Sequence, residues 1–259
     1  MSDYLEKIKE IQDRTKAELE TKRENKPAAG PCRLCNSHVD PLWIENFGWK
    51  VVNACKICEE KEKSNQEHEK LQAEINNLTK RSGLIGLLQD MSFDTHKGQS
   101  NAFSISKEYA ESFDLNSKQG LYFYGRAGSG KTHLACAIIK HIIQTKLLPV
   151  IFVQSIDLLL QLREFDKNKT ELEMIERFTK ITLLIIDDFG TEKLTDWAQQ
   201  VFYKIINDRL LTQKPIIFTT NYSLQELENR LGERIASRIA SMCKVIKMQD
   251  VNHRLERKS

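Results

Sequence analysis

The residues Gly125, Arg126, Ala127, Gly128, Ser129, Gly130, Lys131 and Thr132 fit the pattern G-x-x-x-x-G-K-[ST] at every fixed position. They follow the apolar run LYFY at 121–124 and open a helix-forming segment, so the context is strand, loop, helix. Each residue type has a chemical reason. Glycines let successive backbone N–H groups turn inward around phosphate oxygens, and the helix N-terminus adds a favourable dipole. The Lys131 ammonium can reach the β and γ phosphates of a nucleotide, and the Thr132 hydroxyl can ligate Mg²⁺. With His133, the stretch 125–133 is the candidate nucleotide site.

A second element of such a site is an apolar strand ending in a carboxylate, and ITLLIIDDFGTEKL at 181–194 supplies one. Asp187 fits the metal side. Asp188 stands where a carboxylate orients or deprotonates the attacking water. Without the phosphate loop, an Asp-rich turn after a strand would be the better reading; the loop moves the pair to the catalytic one. IIFTTN at 216–221 puts Thr220 and Asn221 at another strand end, where a polar side chain senses the γ-phosphate or the water. Asn221 is the favoured residue, and a plain strand-ending turn residue is an equal alternative on spacing. In LGERIASRI, Arg234 and Arg238 lie four apart on one helix face, as exposed basic residues or as a guanidinium presented to a neighbouring subunit's phosphate. On sequence alone the plain exposed pair is favoured.

Separate chemistry is written near the N-terminus. Cys32-x-x-Cys35 and Cys55-x-x-Cys58 are two knuckles separated by nineteen residues, a ribbon-like spacing that supplies four thiolates to one tetrahedral Zn²⁺. Four cysteine ligands leave no open position, which points to a structural ion. Disulfide or redox use is the alternative, and His38 could replace one thiolate, though it reads better as a turn residue. Cys136 and Cys243 read as small core residues. Trp43, Phe47 and Trp49 between the knuckles could stack on bases or meet a protein; the plainer and favoured reading is that they fill the core of a small zinc domain.

The elements that must position these residues are legible as alternation. After RSGLIG, β-type runs at 121–124, 150–154, 183–187, 216–220 and 244–248 alternate with helical segments at 131–145, 156–163, 171–179 and 196–211. Shorter helices are expected after Asn221 and Gly232. Alternation of this kind predicts an α/β fold with a parallel sheet flanked by helices. Upstream, residues 1–26 read as a charged helix with Tyr4, Ile8, Ile11 and Leu19 along one stripe, and 59–81 as a second with Leu71, Ile75 and Leu78. A division near residue 85 separates domains 1–84 and 85–259. The chain of 259 residues, 40% hydrophobic and 29% charged, has the composition of an ordinary globular protein with ample core material. It shows no apolar run of membrane-spanning length and no signal-peptide core, so no membrane association and a cytoplasmic location are expected. Net charge is +3, but residues 230–259 hold eight Lys/Arg against three Asp/Glu, an excess compatible with a polyanion or with a solvated basic tail.

With YGRAGSGKTHLA, LLIIDDFG, IIFTTN and LGERIASRI in order, and MSFDT upstream, residues 83–254 resemble the AAA+ ATPases of the DnaC/DnaI-type replicative helicase loader group and the related IstB transposition helpers. The resemblance implies a five-stranded AAA+ P-loop sheet, ATP as ligand, slow or partner-stimulated hydrolysis, and self-association with an arginine finger acting in trans. Carried onto this chain, the finger is Arg238, with Arg254 a weaker candidate for a second sensor. The acids are Asp-Asp where AAA+ proteins in general have Asp-Glu, and the loader group is similar in this, as in having no small helical lid after residue 250. The resemblance also implies that 1–84 holds a replicative hexameric DNA helicase and that the ATPase domain meets single-stranded DNA through backbone phosphates. Two other expectations stand beside the loader: an IstB-like transposition helper, and a nucleotide-gated adaptor for which ATP is a conformational ligand.

Overall fold

In the computed structural model, which describes residues 20–45, 47–96, 100–163, 171–191 and 195–249, four short strands come first. β1 (Gly30–Pro31) pairs antiparallel with β2 (His38–Val39), and β3 (Leu42–Ile44) with β4 (Gly48–Lys50). Helix α1 (Lys56–Arg81) follows. It begins three residues before the expected 59, because the second cysteine knuckle is itself its opening turn, with Glu59 N–H donating to Cys55 O at 3.0 Å. The chain divides into two compact units, Met1–Gln72 and Ala73–Ser259. Of the expected N-terminal helix, residues 20–24 are helical, while Tyr4, Ile8, Ile11 and Leu19 lie outside the described residues.

In the second unit, a 3-10 turn (Gly86–Asp90) and helix α2 (Asn101–Ser112) precede β5 (Gly120–Tyr124). Helix α2 is not among the expected helices, although Ala102, Phe103, Tyr109 and Ala110 recur at helical spacing; Ser100 caps it by accepting from Phe103 N–H at 3.2 Å. Strands and helices then alternate: α3 (Lys131–Lys146), β6 (Val150–Gln154), α4 (Ser155–Arg163), α5 (Glu171–Lys180), β7 (Leu183–Asp187), α6 (Asp196–Leu211), β8 (Ile216–Thr220), α7 (Leu224–Leu231), α8 (Glu233–Met242) and β9 (Cys243–Lys247). The five strands β5 to β9 form one parallel sheet in the order β6-β7-β8-β5-β9.

Continuous apolar strands are what a sheet covered on both faces requires. Alternation sorts their side chains. Tyr122, Ile151, Val153, Leu184, Ile186 and Phe218 face one core, shared with α4 to α8, whereas Leu121, Phe123, Val150, Phe152, Leu183, Ile185 and Ile217 face the other, shared with α2 and α3. Truncating a central residue such as Ile185, fully buried, is expected to cost about 2–5 kcal/mol. Cys136 and Cys243 are buried in these cores, as small core residues should be. No helix among the described residues is long and apolar enough to cross a membrane.

Register decides what the strands deliver. Tyr124 pairs with Thr220, and Gln154 with Asp187, so neighbouring strands end level at their carboxyl ends. The segments leaving β5, β7 and β8 therefore emerge along one edge of the sheet, the usual ligand position in open α/β folds.

Candidate functional site

The loop between β5 and α3 carries the phosphate pattern. Gly128 and Gly130 have φ of 83° and 93°, left-handed values that a side chain would strain, and a Cβ on Gly130 would lie 3.2 Å from His96 Nε2. Gly130 caps α3 without any side-chain partner, leaving the helix's first N–H groups for an anion. The Ser129 hydroxyl is buried with no hydrogen-bond partner, an orphan that phosphate oxygens would satisfy. Residues, backbone and orphan fit a nucleotide phosphate chain.

Hydrogen bonds join this loop to the other strand ends. Lys131 Nζ donates to Gly125 O at 2.7 Å, Arg126 O at 2.9 Å and Asn221 Oδ1 at 3.1 Å. Thr132 Oγ1 donates to Asp187 Oδ1 at 2.9 Å. Asp187 is 2% exposed; burial raises its pKa, partly opposed by the Thr219 hydroxyl, which donates to the same oxygen at 2.5 Å. Thr132 and Asp187 thus present hard oxygen donors side by side, the donor type that suits Mg²⁺. Asp188, in contrast, is exposed and left-handed, φ 52°, with its N–H donating to Thr219 Oγ1 at 3.1 Å. One buried acid and one exposed acid is an asymmetry that the sequence doublet does not display.

His133 Nε2 lies 2.8 Å from Ser92 O and 3.3 Å from Thr95 Oγ1, so the segment containing MSFDT lies against the start of α3. His96 packs edge-on to His133 at 5.1 Å. Thr219, Thr95 and His96 escape sequence reasoning: Thr219 reads as a plain strand residue, Thr95 is signalled only as the last residue of MSFDT, and His96 lies just beyond that segment. Thr220, weighed against Asn221, is fully buried, its hydroxyl donating to Phe189 O at 2.6 Å, so its role there is structural.

Arg238 hydrogen-bonds none of these residues. Its Nε donates to Asn207 Oδ1 at 3.0 Å, Nη2 to Tyr203 Oη at 2.7 Å and Nη1 to Arg234 O at 2.9 Å, and it lies 4.5 Å from the Tyr203 ring centroid. Arg234 is exposed. Arg254 and the segment after 249 lie outside the described residues.

In the first unit, the sulfurs of Cys32, Cys35, Cys55 and Cys58 lie within 4.8 Å of one another, and Cys35 and Cys55 Sγ are 3.7 Å apart. Zn–S bonds of about 2.3 Å in a tetrahedron separate sulfurs by about 3.8 Å, so the cluster fits zinc closely. None is disulfide-bonded, and His38 is not part of the set. Backbone N–H groups, first that of Cys55 at 3.3 Å, pull the Cys32 thiol down to about 6. The Cys55 and Cys35 thiols push Cys58 up to about 12. A divalent cation removes that conflict between neighbouring sulfurs.

The aromatic residues correct an expectation. The small core here is Cys32, Val39 and Ala54, and Phe47, in the turn between β3 and β4, is 85% exposed. Trp43 and Trp49 are cross-strand partners packed edge-on at 5.3 Å, with Arg23 over one ring and Lys26 over the other. The cysteine knuckles take the place of an aromatic core, because Cys32, Val39 and Ala54, with Val52, Cys55 and Cys58 packed against them, already fill the small interior.

Comparison with known proteins places this geometry. Replicative helicase loader DnaC of Escherichia coli strain K12 is 28% identical over 165 residues, which are 61% of this chain and 66% of that protein. The chain thus spans just under two thirds of that relative. The crystal structure of the DnaC helicase loader superposes with a TM-score of 0.59 at 28% identity, covering 64% of this chain and 100% of that one. The crystal structure of DnaI, TM-score 0.56 at 23% identity over 62% and 93% of the two chains, shares the fold. Residues 52–259 match the family described as IstB-like ATP binding protein. That span holds the phosphate loop, both strand-end acids and Asn221, and the chain belongs to the IstB-like ATP-binding family.

Proposed function

We propose that this protein is an ATP-hydrolysing helicase loader: it binds a replicative hexameric DNA helicase and delivers it to single-stranded DNA. The observation that carries the catalytic part is the hydrogen-bonded set linking Lys131 to Asn221 and Thr132 to Asp187 across three strand ends. In this reading the N–H groups at 125–133 and Lys131 hold the phosphates, and Asn221 fixes Lys131 and senses the terminal phosphate. Asp188, exposed beside the buried acid, accepts the proton of the attacking water. Mg²⁺, held by Thr132 and Asp187, supplies neutralisation of the developing phosphate charge. Arg238 serves a neighbouring copy as the finger, exchanging its contacts to Asn207 and Tyr203 for phosphate on self-association.

Residues 1–84 are assigned to the helicase, with a structural zinc at the four cysteines. The exposed Leu42, Ile44 and Phe47 of the β3–β4 hairpin support this assignment, while similarity to proteins named replicative helicase loaders supports the loader reading as a whole. The site lies in the cytoplasm in this reading. The test is co-purification of the full chain with the replicative helicase of its host, in the presence of ATP, together with measured ATP turnover. Stable association and turnover lost in Asp188→Asn support the loader. Capture of a transposase with no helicase moves the assignment to a transposition helper, and helicase binding with turnover unaffected by Asp188→Asn leaves a nucleotide-gated adaptor.

A further inference from the structure

The turn that carries Asp188 is held from a direction that the phosphate chemistry does not require. Asp188 is left-handed, its carbonyl accepts from Thr191 Oγ1 at 2.9 Å and from Ser155 Oγ at 3.2 Å, and Phe189 N–H donates to Thr219 O at 2.8 Å. Two residues later the chain meets α7. A Cβ on Gly190, φ 76°, would lie 2.8 Å from Leu227 Cδ1, so the absence of a side chain there is what lets the helix close on the turn. One helical step further on, Arg230 Nε donates to Gly190 O at 2.9 Å, and its Nη2 lies 3.5 Å from Thr191 O.

The same guanidinium lies 4.4 Å from the ring centroid of Tyr222, the residue following Asn221. The Tyr222 backbone is in turn tied to the sheet, its carbonyl accepting from Tyr122 Oη at 2.9 Å. One side chain therefore touches the two segments that carry the water-side acid and the sensor, while belonging to neither. Helix α7 also runs through Gly232 directly into α8, which bears Arg238.

We propose that Arg230 is a positioning residue that holds the Asp188 turn and the Asn221 segment in register, and passes movement of α7 and α8 to both. This rests on the ATPase reading above, with Arg238 acting between subunits. A planar guanidinium is required: it donates along its edge to Gly190 O while laying its face on Tyr222, which an ammonium cannot do together.

The test compares the full-length wild type with Arg230→Ala, Arg230→Lys, Tyr222→Ala and the Arg230→Ala/Tyr222→Ala double variant. Hydrogen exchange and steady-state ATP hydrolysis are read on each. Loss of one hydrogen bond and one cation–π contact sets the scale at about tenfold. Exchange at 188–191 and 221–222 should accelerate by about that factor in Arg230→Ala, with the core of β7 unchanged; kcat should fall by about tenfold with KM within about twofold. Arg230→Lys should resemble Arg230→Ala, and the double variant should be no worse than the singles, as expected of one shared contact. Unchanged exchange in both segments overturns the proposal whatever happens to turnover. Accelerated exchange with normal kcat in an active protein overturns the positioning role. Accelerated exchange in Arg230→Ala, when the wild type itself hydrolyses no ATP, upholds the mechanical link and removes the ATPase reading instead.

Discussion

Thr219→Val isolates the contact that orients the acid pair. The replacement keeps the shape of a fully buried side chain and deletes a hydroxyl that donates to Asp187 Oδ1 at 2.5 Å and accepts from Asp188 N–H at 3.1 Å. A hydrogen bond to a charged group contributes about 1.5–3 kcal/mol, and the Asp188 N–H loses its partner as well, so a loss of about 3 kcal/mol is expected. For a domain of this size that lowers the melting temperature by about 6–12 °C. Thr219→Ser keeps the hydroxyl and removes one methyl, with an expected loss of about 1 kcal/mol.

Thermal unfolding followed by circular dichroism, without nucleotide or Mg²⁺, gives both values. A cycle with Asp187→Asn should return a coupling of about 1.5–3 kcal/mol, since the charge on the acceptor is what strengthens the bond. The sign with pH follows from burial, which raises the Asp187 pKa above its unfolded value. The folded state then holds the proton to higher pH than the unfolded state, so stability falls as pH rises through that window and the ionised acid depends most on its donors above it. The Thr219→Val deficit should therefore shrink as pH is lowered through the raised pKa. Equal melting of the Val and Ser variants, or additive losses in the cycle, would refute the reasoning.

Asp188→Asn should lower ATP turnover by about 10²- to 10⁴-fold while nucleotide affinity, read by fluorescence titration, stays within about twofold. Protons and Mg²⁺ compete for Asp187, so Mg²⁺ affinity measured by calorimetry should fall as pH drops through its raised pKa, and Asp187→Asn should flatten that dependence. Metal analysis should find about one zinc per chain, lost in Cys55→Ser together with protease resistance around residues 30–58, while the melting of the second unit stays unchanged. Arg209 is fully buried and donates to the carbonyls of Phe178, Thr179, Ile181, Thr182 and Pro215. Burial lowers its pKa to about 9, still charged at neutrality. Arg209→Met should cost about 3–5 kcal/mol by denaturant titration, and Arg209→Lys should not rescue it, because an ammonium has too few donors in the wrong geometry.

Much of this was legible in the chain because the signals are local. Five apolar runs, each bounded by helical segments, predict the sheet within a residue at either end, and parallel strands covered on both faces have to read that way. Glycine spacing before Lys131 and the double CxxC are equally local, since each depends on residues a few positions apart. Helix α2 is absent from the expected elements although Ala102, Phe103, Ser106, Tyr109 and Ala110 stand at helical spacing, because the three of them that are buried, Ala102, Ser106 and Ala110, are small or polar and give only a weak apolar signal. The aromatic residues between the cysteine knuckles misled for a related reason: composition says nothing about which side chains the knuckles leave room for.

By itself the sequence determined residue chemistry: a phosphate loop, two acids at a strand end, a polar residue at another and four thiols in two pairs. Tertiary structure decided the rest, because parallel register, set by burial on two faces, brings Lys131 to Asn221 across ninety positions and Thr132 to Asp187 across fifty-five. It also divided two identical acids into a buried one beside Thr132 and an exposed one, placed Thr219 against both, and set Arg230 against the turn that follows them. No spacing encodes those contacts, since each is made between side chains that only the packed sheet and α7 bring within hydrogen-bond range.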